Sequence, residues 1–386
     1  FPAQSWLNQE AGEPPALPGK NSLRDWNALE LTYIMEIAQR PTSRHVTKRN
    51  LALFLGSLSL IFMLAITIAG DMRPLSAICD TDYVTALYAA GHMVGHGAGH
   101  DIYPALSAEN FYHEKFALYT RELLGKPDTG WLYLFSYPAA VAMLCAPFSF
   151  MDPRISLACW QVFSILGLLA GVLAFCAVPG TRANALTVFL ASCLFLPMLD
   201  VVVVGQTSLI LGLLPLCLGY YLWQKERYFI AGLAWSVMGL KPQIALPIAV
   251  IAAAMLLATI FRWTEKRETL SLIAGLLCGT VVLHAVPSLL LGPDIFLLWL
   301  NGVRMSGAAF AAEKTGYWQY HLFCSLPCLS VLCFPKELCL QVRQVSYVGG
   351  LLALVAASFA SAAVVKQSLS ATMRRDLLII LATPII

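Results

Sequence analysis

Apolar runs about 20 residues long recur along most of the chain, and no other feature of the sequence restricts its fold as tightly. They fall at 51–70, 155–178, 185–204, 207–223, 243–261, 270–291 and 343–365, with shorter ones at 134–151 and 228–240 and another from 377 onward. A hydrocarbon core about 30 Å thick is crossed by roughly 20 apolar helical residues. Charged residues make up 12% of the 386 and hydrophobic ones 58%, whereas soluble domains are about 25% charged. The expected fold is therefore all-α, a polytopic membrane helix bundle. A polar tail over 1–49 precedes one multi-span membrane domain over 50–386.

The basic residues orient the runs. Arg40, Arg44, Lys48 and Arg49 stand just before the first run, which places the tail in the cytoplasm and the 71–132 loop outside it. Further clusters at Lys225/Arg227, Arg262/Lys266/Arg267 and Lys366/Arg374/Arg375 should all be cytoplasmic. They can be so only if one run does not cross. Leu134–Met151 is the short one, interrupted by Pro138 and Pro147, and is expected to lie in or dip into the outer interface. Gly205-Gln206, Lys241 and the 292–342 loop then share the extracytoplasmic side. The net charge is +3 and no basic stripe exists, so nucleic acid is not an expected partner.

Polar residues gather after the first run. Residues 71–132 hold eight Asp/Glu, over a third of the chain's 22. Asp82 lies just past the membrane edge, where a carboxylate is costly unless it has a task or a partner. It opens a helix whose apolar positions 83, 84, 87, 88 and 91 form one face along the membrane surface, with Asp82 as N-cap. Asp80 is a possible second carboxylate. His92, His96 and His100 recur every four residues, but Gly91, Gly95, Gly97 and Gly99 end the helix before the three imidazoles can line up.

Further along, Ser136-Tyr137-Pro138 opens the non-crossing run. Gln206 can donate and accept hydrogen bonds with a sugar hydroxyl, or simply build a turn. Lys241 is the single charge in the middle of the hydrophobic hairpin 228–261. A phosphate at the membrane surface would suit it, as would snorkelling to lipid headgroups. Arg304, Lys314, Trp318, Tyr320 and His321 in the 292–342 loop combine cations with rings, a composition fit for a sugar phosphate or for an interfacial aromatic belt. No GxSxG, P-loop, HExxH or dinucleotide fingerprint occurs.

An ordered set of short motifs now matters. Asp82-Tyr83, Tyr88-Ala89-Ala90-Gly91 and Ile102-Tyr103 are followed by Ser136-Tyr137-Pro138-Ala139 and Ala146-Pro147. Then come Gly205-Gln206-Thr207, Gly239-Leu240-Lys241-Pro242-Gln243 and Leu291-Gly292-Pro293. Over roughly residues 50–320 this order resembles glycosyltransferase family 87, with Ala139 where the family has Pro and Thr207 where it has Asn. A segment with Pro-His and Tyr-Asp usually follows, starting here near Thr383-Pro384.

The resemblance implies a GT-C bundle whose large first extracytoplasmic loop contains interfacial helices. It implies an inverting hexosyltransferase, mostly a mannosyltransferase, that uses a polyprenyl-phosphate-linked sugar and a glycan or glycolipid acceptor. Asp82 would be the catalytic base, with Lys241, Arg304 and His321 on the donor phosphate. Tyr83, Tyr137, Gln206, Gln243 and Trp318 would contact sugar or acceptor. The expected location is a bacterial inner membrane, with the site on the extracytoplasmic face and the bilayer itself as a partner. A monophosphate leaving group held by fixed cations needs no divalent metal, so no metal or other cofactor is expected, although Asp80-Thr81-Asp82 spells DxD. A multi-span transporter or flippase for a lipid-linked saccharide, or a non-catalytic lipid-saccharide-binding subunit, would also need many spans and buried charges. Transporters tend to show repeated halves, and no internal repeat is present.

Overall fold

The computed structural model describes residues 43–71, 81–108, 115–125, 135–178, 181–194 apart from Arg182, 196–241 and 266–312, with isolated positions between 244 and 256. The expected cytoplasmic tail up to residue 42 and the runs at 343–365 and beyond 377 lie outside them. The chain divides into two units, 1–54 and 55–386. Of the first, only helical residues 43–54 are described.

All regular structure among the described residues is helical. Helix α1, Ser43–Asp71, carries the first apolar run. A π-helical turn, Tyr83–Tyr88, continues into α2, Ala89–Gly95. Beyond it Gly97 adopts φ +78° and a 3₁₀ turn covers Gly99–Ile102, so the helix does end before His100. α3 is Lys115–Leu124 and α4 is Ala139–Cys145. Pro138 precedes α4, and Pro147 sits in the 3₁₀ turn Ala146–Phe150 that closes it. Seven α-helical and five 3₁₀ residues span only about 20 Å, too little to cross a bilayer.

α5, Pro153–Cys176, and α10, Lys266–Leu291, are long and apolar enough to cross. Their 24 and 26 residues measure about 36 and 39 Å. Between them run α6 (Ala185–Cys193), α7 (Leu196–Val203), a π turn Leu209–Leu213 leading into α8 (Leu214–Gln224), and α9 (Tyr228–Ser236), which ends in the 3₁₀ turn Val237–Leu240. These are shorter than the continuous runs in the sequence. Pro215 stands in the first turn of α8, where its missing N–H leaves one bond out of the ladder. After Gly292, α11 occupies Ile295–Ala312. The 292–342 segment therefore begins with a helix rather than a loop, anchored by Ile295, Leu298 and Trp299 in the core at helical spacing.

The long helices turn large apolar side chains outward and bury small and polar residues beside a few large ones such as Leu157, Trp160 and Leu272. α5 buries Ser156, Gln161, Ser164, Gly167 and Gly171, while Ile155, Val162, Leu166 and Leu173 are exposed. α10 likewise buries Thr269, Gly275 and Gly279 and exposes Leu277, Val281, Leu289 and Leu290. Apolar outer faces and small residues at helix contacts are how bundles pack in lipid, and with the two long apolar helices they describe a membrane protein. Two GxxxG pairs make the close contacts. Gly167 and Gly171 face Ile210 and the Leu214 backbone, and Gly275 and Gly279 face the Phe229 carbonyl and Ser236. The second contact pairs 229 with 275 and 236 with 279, so α9 and α10 run parallel.

The main core lies elsewhere. Tyr83, Val84, Leu87, Tyr88, Ala89, Ala90 and Met93 are all buried, packed with Phe135, Val141, Cys145, Leu157 and Trp160. A helix lying along the membrane surface would leave one face open; this one is enclosed by α4, its closing 3₁₀ turn and α5. Burial of each large apolar side chain is worth roughly 1.5–3 kcal/mol, so this helix is held by protein on more than the one face that its spacing suggested.

Candidate active site

The start of the Tyr83–Tyr88 turn sets the site. The Thr81 carbonyl accepts from Thr85 at 3.1 Å and the Thr81 hydroxyl oxygen accepts from the Val84 N–H at 3.4 Å. Asp82 is already helical (φ −55°, ψ −35°) and makes no side-chain cap hydrogen bond. The N-cap role expected of Asp82 thus belongs to Thr81, and the exposed Asp82 carboxylate is turned to another use. Its Oδ2 accepts from Gln206 Nε2 at 3.2 Å.

Gln206 reaches it from a tight turn held from three sides. The Tyr83 N–H donates to the Val204 carbonyl (3.2 Å), Trp160 Nε1 donates to the Gly205 carbonyl (2.9 Å), and Gln161 Nε2 donates to the Val203 carbonyl (3.3 Å). Gly205 has φ +72°, and a Cβ there would stand 2.6 Å from Tyr83 Cβ. Only glycine meets both demands. Tyr83 itself is fully buried, stacked on Trp160 at 5.4 Å with its hydroxyl hydrogen-bonded to Ser156 at 2.7 Å. Expected beside the sugar, it instead forms the floor that positions the Gly205 turn under Asp82.

Two residues further along the same turn, Ser208 Oγ accepts from Lys241 Nζ at 2.7 Å. Lys241 is 7% exposed. Burial lowers its ammonium to about 8, and the Asp82 charge opposes that fall. Tyr137 completes the group. Burial pushes its phenol up to about 12, with the Thr207 hydroxyl opposing the rise and the Asp82 charge adding to it. Its backbone carbonyl accepts from the Tyr103 hydroxyl, and the neighbouring Ser136 carbonyl accepts from Trp299 Nε1 at 3.0 Å. Asp82, Tyr137, Gln206 and Lys241 are thus brought to one place by the 205–208 turn: an accessible carboxylate held by an amide, beside a buried cation whose described partner is a hydroxyl. Such a set can take a proton and neutralise a leaving anion.

Other expected residues fall elsewhere. Arg304 donates to Asn301 Oδ1 at 2.9 Å, within its own helix, and Asn301 donates to the Ala105 carbonyl. Asp80, Gln243, Trp318 and His321 lie outside the described residues. His92 and His96 stay together and His100 does not join them. His92 bonds the Tyr119 hydroxyl at 2.7 Å and stacks on His96 at 4.0 Å, while His100 bonds Asp294 at 3.0 Å beside the Leu291-Gly292-Pro293 turn. Sequence reasoning missed Thr81, Trp160 and Ser208. Only Ser208 carried a signal, as a polar residue directly after the Gly205-Gln206-Thr207 motif.

Residues 135–385 match the family model of glycosyltransferase family 87. That span includes Tyr137, Gln206, Ser208 and Lys241, and begins after Asp82. No curated protein and no solved structure matches the chain.

Proposed function

Since the chain belongs to glycosyltransferase family 87, we propose that it moves a hexose, mannose, from a polyprenyl-phosphate donor to a hydroxyl of a glycan or glycolipid acceptor, with inversion. The reaction is placed on the extracytoplasmic face of a bacterial inner membrane, with the 1–49 tail in the cytoplasm and the rest of the chain forming one multi-pass domain. The observation that carries this reading is the 205–208 turn, which hydrogen-bonds the Asp82 carboxylate through Gln206 and the Lys241 ammonium through Ser208.

Asp82 takes the proton of the acceptor hydroxyl as that oxygen bonds to the anomeric carbon. The bond from that carbon to the donor phosphate oxygen breaks, and its electron pair leaves on polyprenyl phosphate. Attack and departure on opposite faces invert the centre. General-base help is worth roughly 100- to 10,000-fold. Lys241 stabilises the charge growing on the phosphate, a contribution of about 100- to 1,000-fold for one well-placed donor. A buried ammonium of this kind is costly until an anion arrives, which suits a donor phosphate better than a snorkelling role. Gln206 and Tyr137 line the sugar and acceptor side, with Gln243 and Trp318 in the roles the family resemblance implies and His321 as a second cation.

The test is transfer of labelled mannose from polyprenyl phosphate by the membrane-embedded protein. Wild type should turn over, and Asp82→Asn should not while keeping its fold. Donor binding without turnover in wild type would instead favour a binding subunit, and vectorial movement of intact donor would favour a flippase.

A further inference from the structure

The other end of the α9–α10 pair carries a second polar feature that transfer chemistry does not use. There the turn before α9 and the first turns of α10 enclose a cleft of about 550 Å³. Arg227, Phe229 and Ile230 line it from α9 and the turn before it, and Arg267 and Ser271 line it from α10. We propose that this cleft holds the phosphate headgroup of an anionic phospholipid from the surrounding bilayer.

The geometry favours an anion. Arg227 and Arg267 are exposed, and neither pairs with a carboxylate among the described residues. Of the two carboxylates lining the cleft, Glu268 accepts from the Tyr228 hydroxyl at 2.7 Å, which engages one of its oxygens. Glu226 sits in the turn at φ 59°. Two guanidinium groups lining one cleft suit a phosphate. α9 also presents its N-terminal N–H groups and positive dipole end here.

The surroundings favour a lipid as the source. Phe229 and Ile230 are 41% and 47% exposed, directly beside the basic rim, so an occupant meets cations at one end and an apolar wall at the other. α10 begins here with Lys266 and Arg267 and then runs apolar for a membrane length; a basic helix end of that kind sits at headgroup depth. Nine α-helical and four 3₁₀ residues separate the cleft from Lys241, about 21 Å along the helix. The two phosphate-directed sites are therefore distinct.

Native mass spectrometry of the full chain, released from detergent with phosphatidylglycerol or phosphatidylcholine, tests the proposal without reference to transfer. Wild type should retain phosphatidylglycerol preferentially. The double variant Arg227→Gln/Arg267→Gln should retain at least about tenfold less, because a hydrogen bond to a charged group is worth more than a decade in affinity. Lys241→Met should retain as much as wild type. Loss in Lys241→Met with retention in the arginine variant would move the lipid to the Asp82 end and overturn the proposal. Equal retention of the two lipids by wild type would also overturn it, as would displacement of phosphatidylglycerol by millimolar inorganic phosphate, the mark of a free-anion site. If the double variant does not fold, Arg227→Gln and Arg267→Gln singly carry the same test at smaller amplitude.

Discussion

The two ends of the α9–α10 pair hold cations in opposite states. At one end Lys241 is 7% exposed and hydrogen-bonded to Ser208, with Asp82 close enough to bias its charge. At the other, Arg227 and Arg267 are exposed on the rim of an open cleft. A desolvated ion costs several kcal/mol unless something compensates it, while an exposed one costs little. The difference teaches that sign alone says little about a charge in a membrane bundle. Burial is what separates the cation of the proposed transfer site from the two arginines of the proposed lipid cleft.

The sharpest way to break this contrast is at Asp82. Asp82→Asn should lower transfer by two to four orders of magnitude, yet leave unfolding within about 0.5 kcal/mol of wild type, as an exposed substitution away from any cap does. Parallel transfer assays and melts check both halves. Asp80→Asn should be milder, and the opposite order would hand the base role to Asp80. Next comes Lys241→Met, expected to lose about 100- to 1,000-fold in transfer while inserting and folding at least as well, since a buried charge is removed. A fully active Lys241→Met would erase the distinction between the two ends.

The pH dependence sharpens the same point with a definite sign. Folding lowers the Lys241 pKa from 10.5 to about 8, so the folded protein loses this proton before the unfolded chain does. As pH rises through 8, kcat/KM should fall with the ammonium, whereas stability should rise between about 8 and 10.5, where the unfolded state binds more protons. A stability profile that instead dropped over that window would mean Lys241 is not desolvated. The smallest effect is expected at Ser208. Ser208→Ala removes an acceptor from the charged lysine and should move the alkaline limb down by about one unit, with only a few-fold loss at pH 7; an unmoved limb would show the hydroxyl to be a bystander.

Much of this was legible before any coordinates. Helical class followed from the apolar runs, because lipid leaves a backbone few other choices. The end of the first-loop helix followed from its glycines, and the shortness of the helical segment 139–150 from Pro138 and Pro147. The positive-inside expectation that Lys225/Arg227 and Lys266/Arg267 share a side agrees with the parallel packing of α9 on α10, which brings Arg227 and Arg267 to one cleft. These are local signals, written in composition, proline placement and charge.

Other features depended on distant parts of the chain meeting. From spacing alone, Asp82 reads as a cap, and the family resemblance makes Tyr83 a ring beside the sugar. The fold gives the cap to Thr81 and buries Tyr83 against Trp160, which leaves the carboxylate facing Gln206, 124 residues away. Lys241 could be recognised as an isolated charge, but its partner Ser208 lies 33 residues earlier and has no periodicity to announce it. Apolar pattern decides which segments are helices and how long they run, since each residue contributes by its own transfer free energy. Which carboxylate is accessible and which cation is dry depends on distant segments meeting, as Gly205 meets Tyr83, and only the packed tertiary structure specifies that.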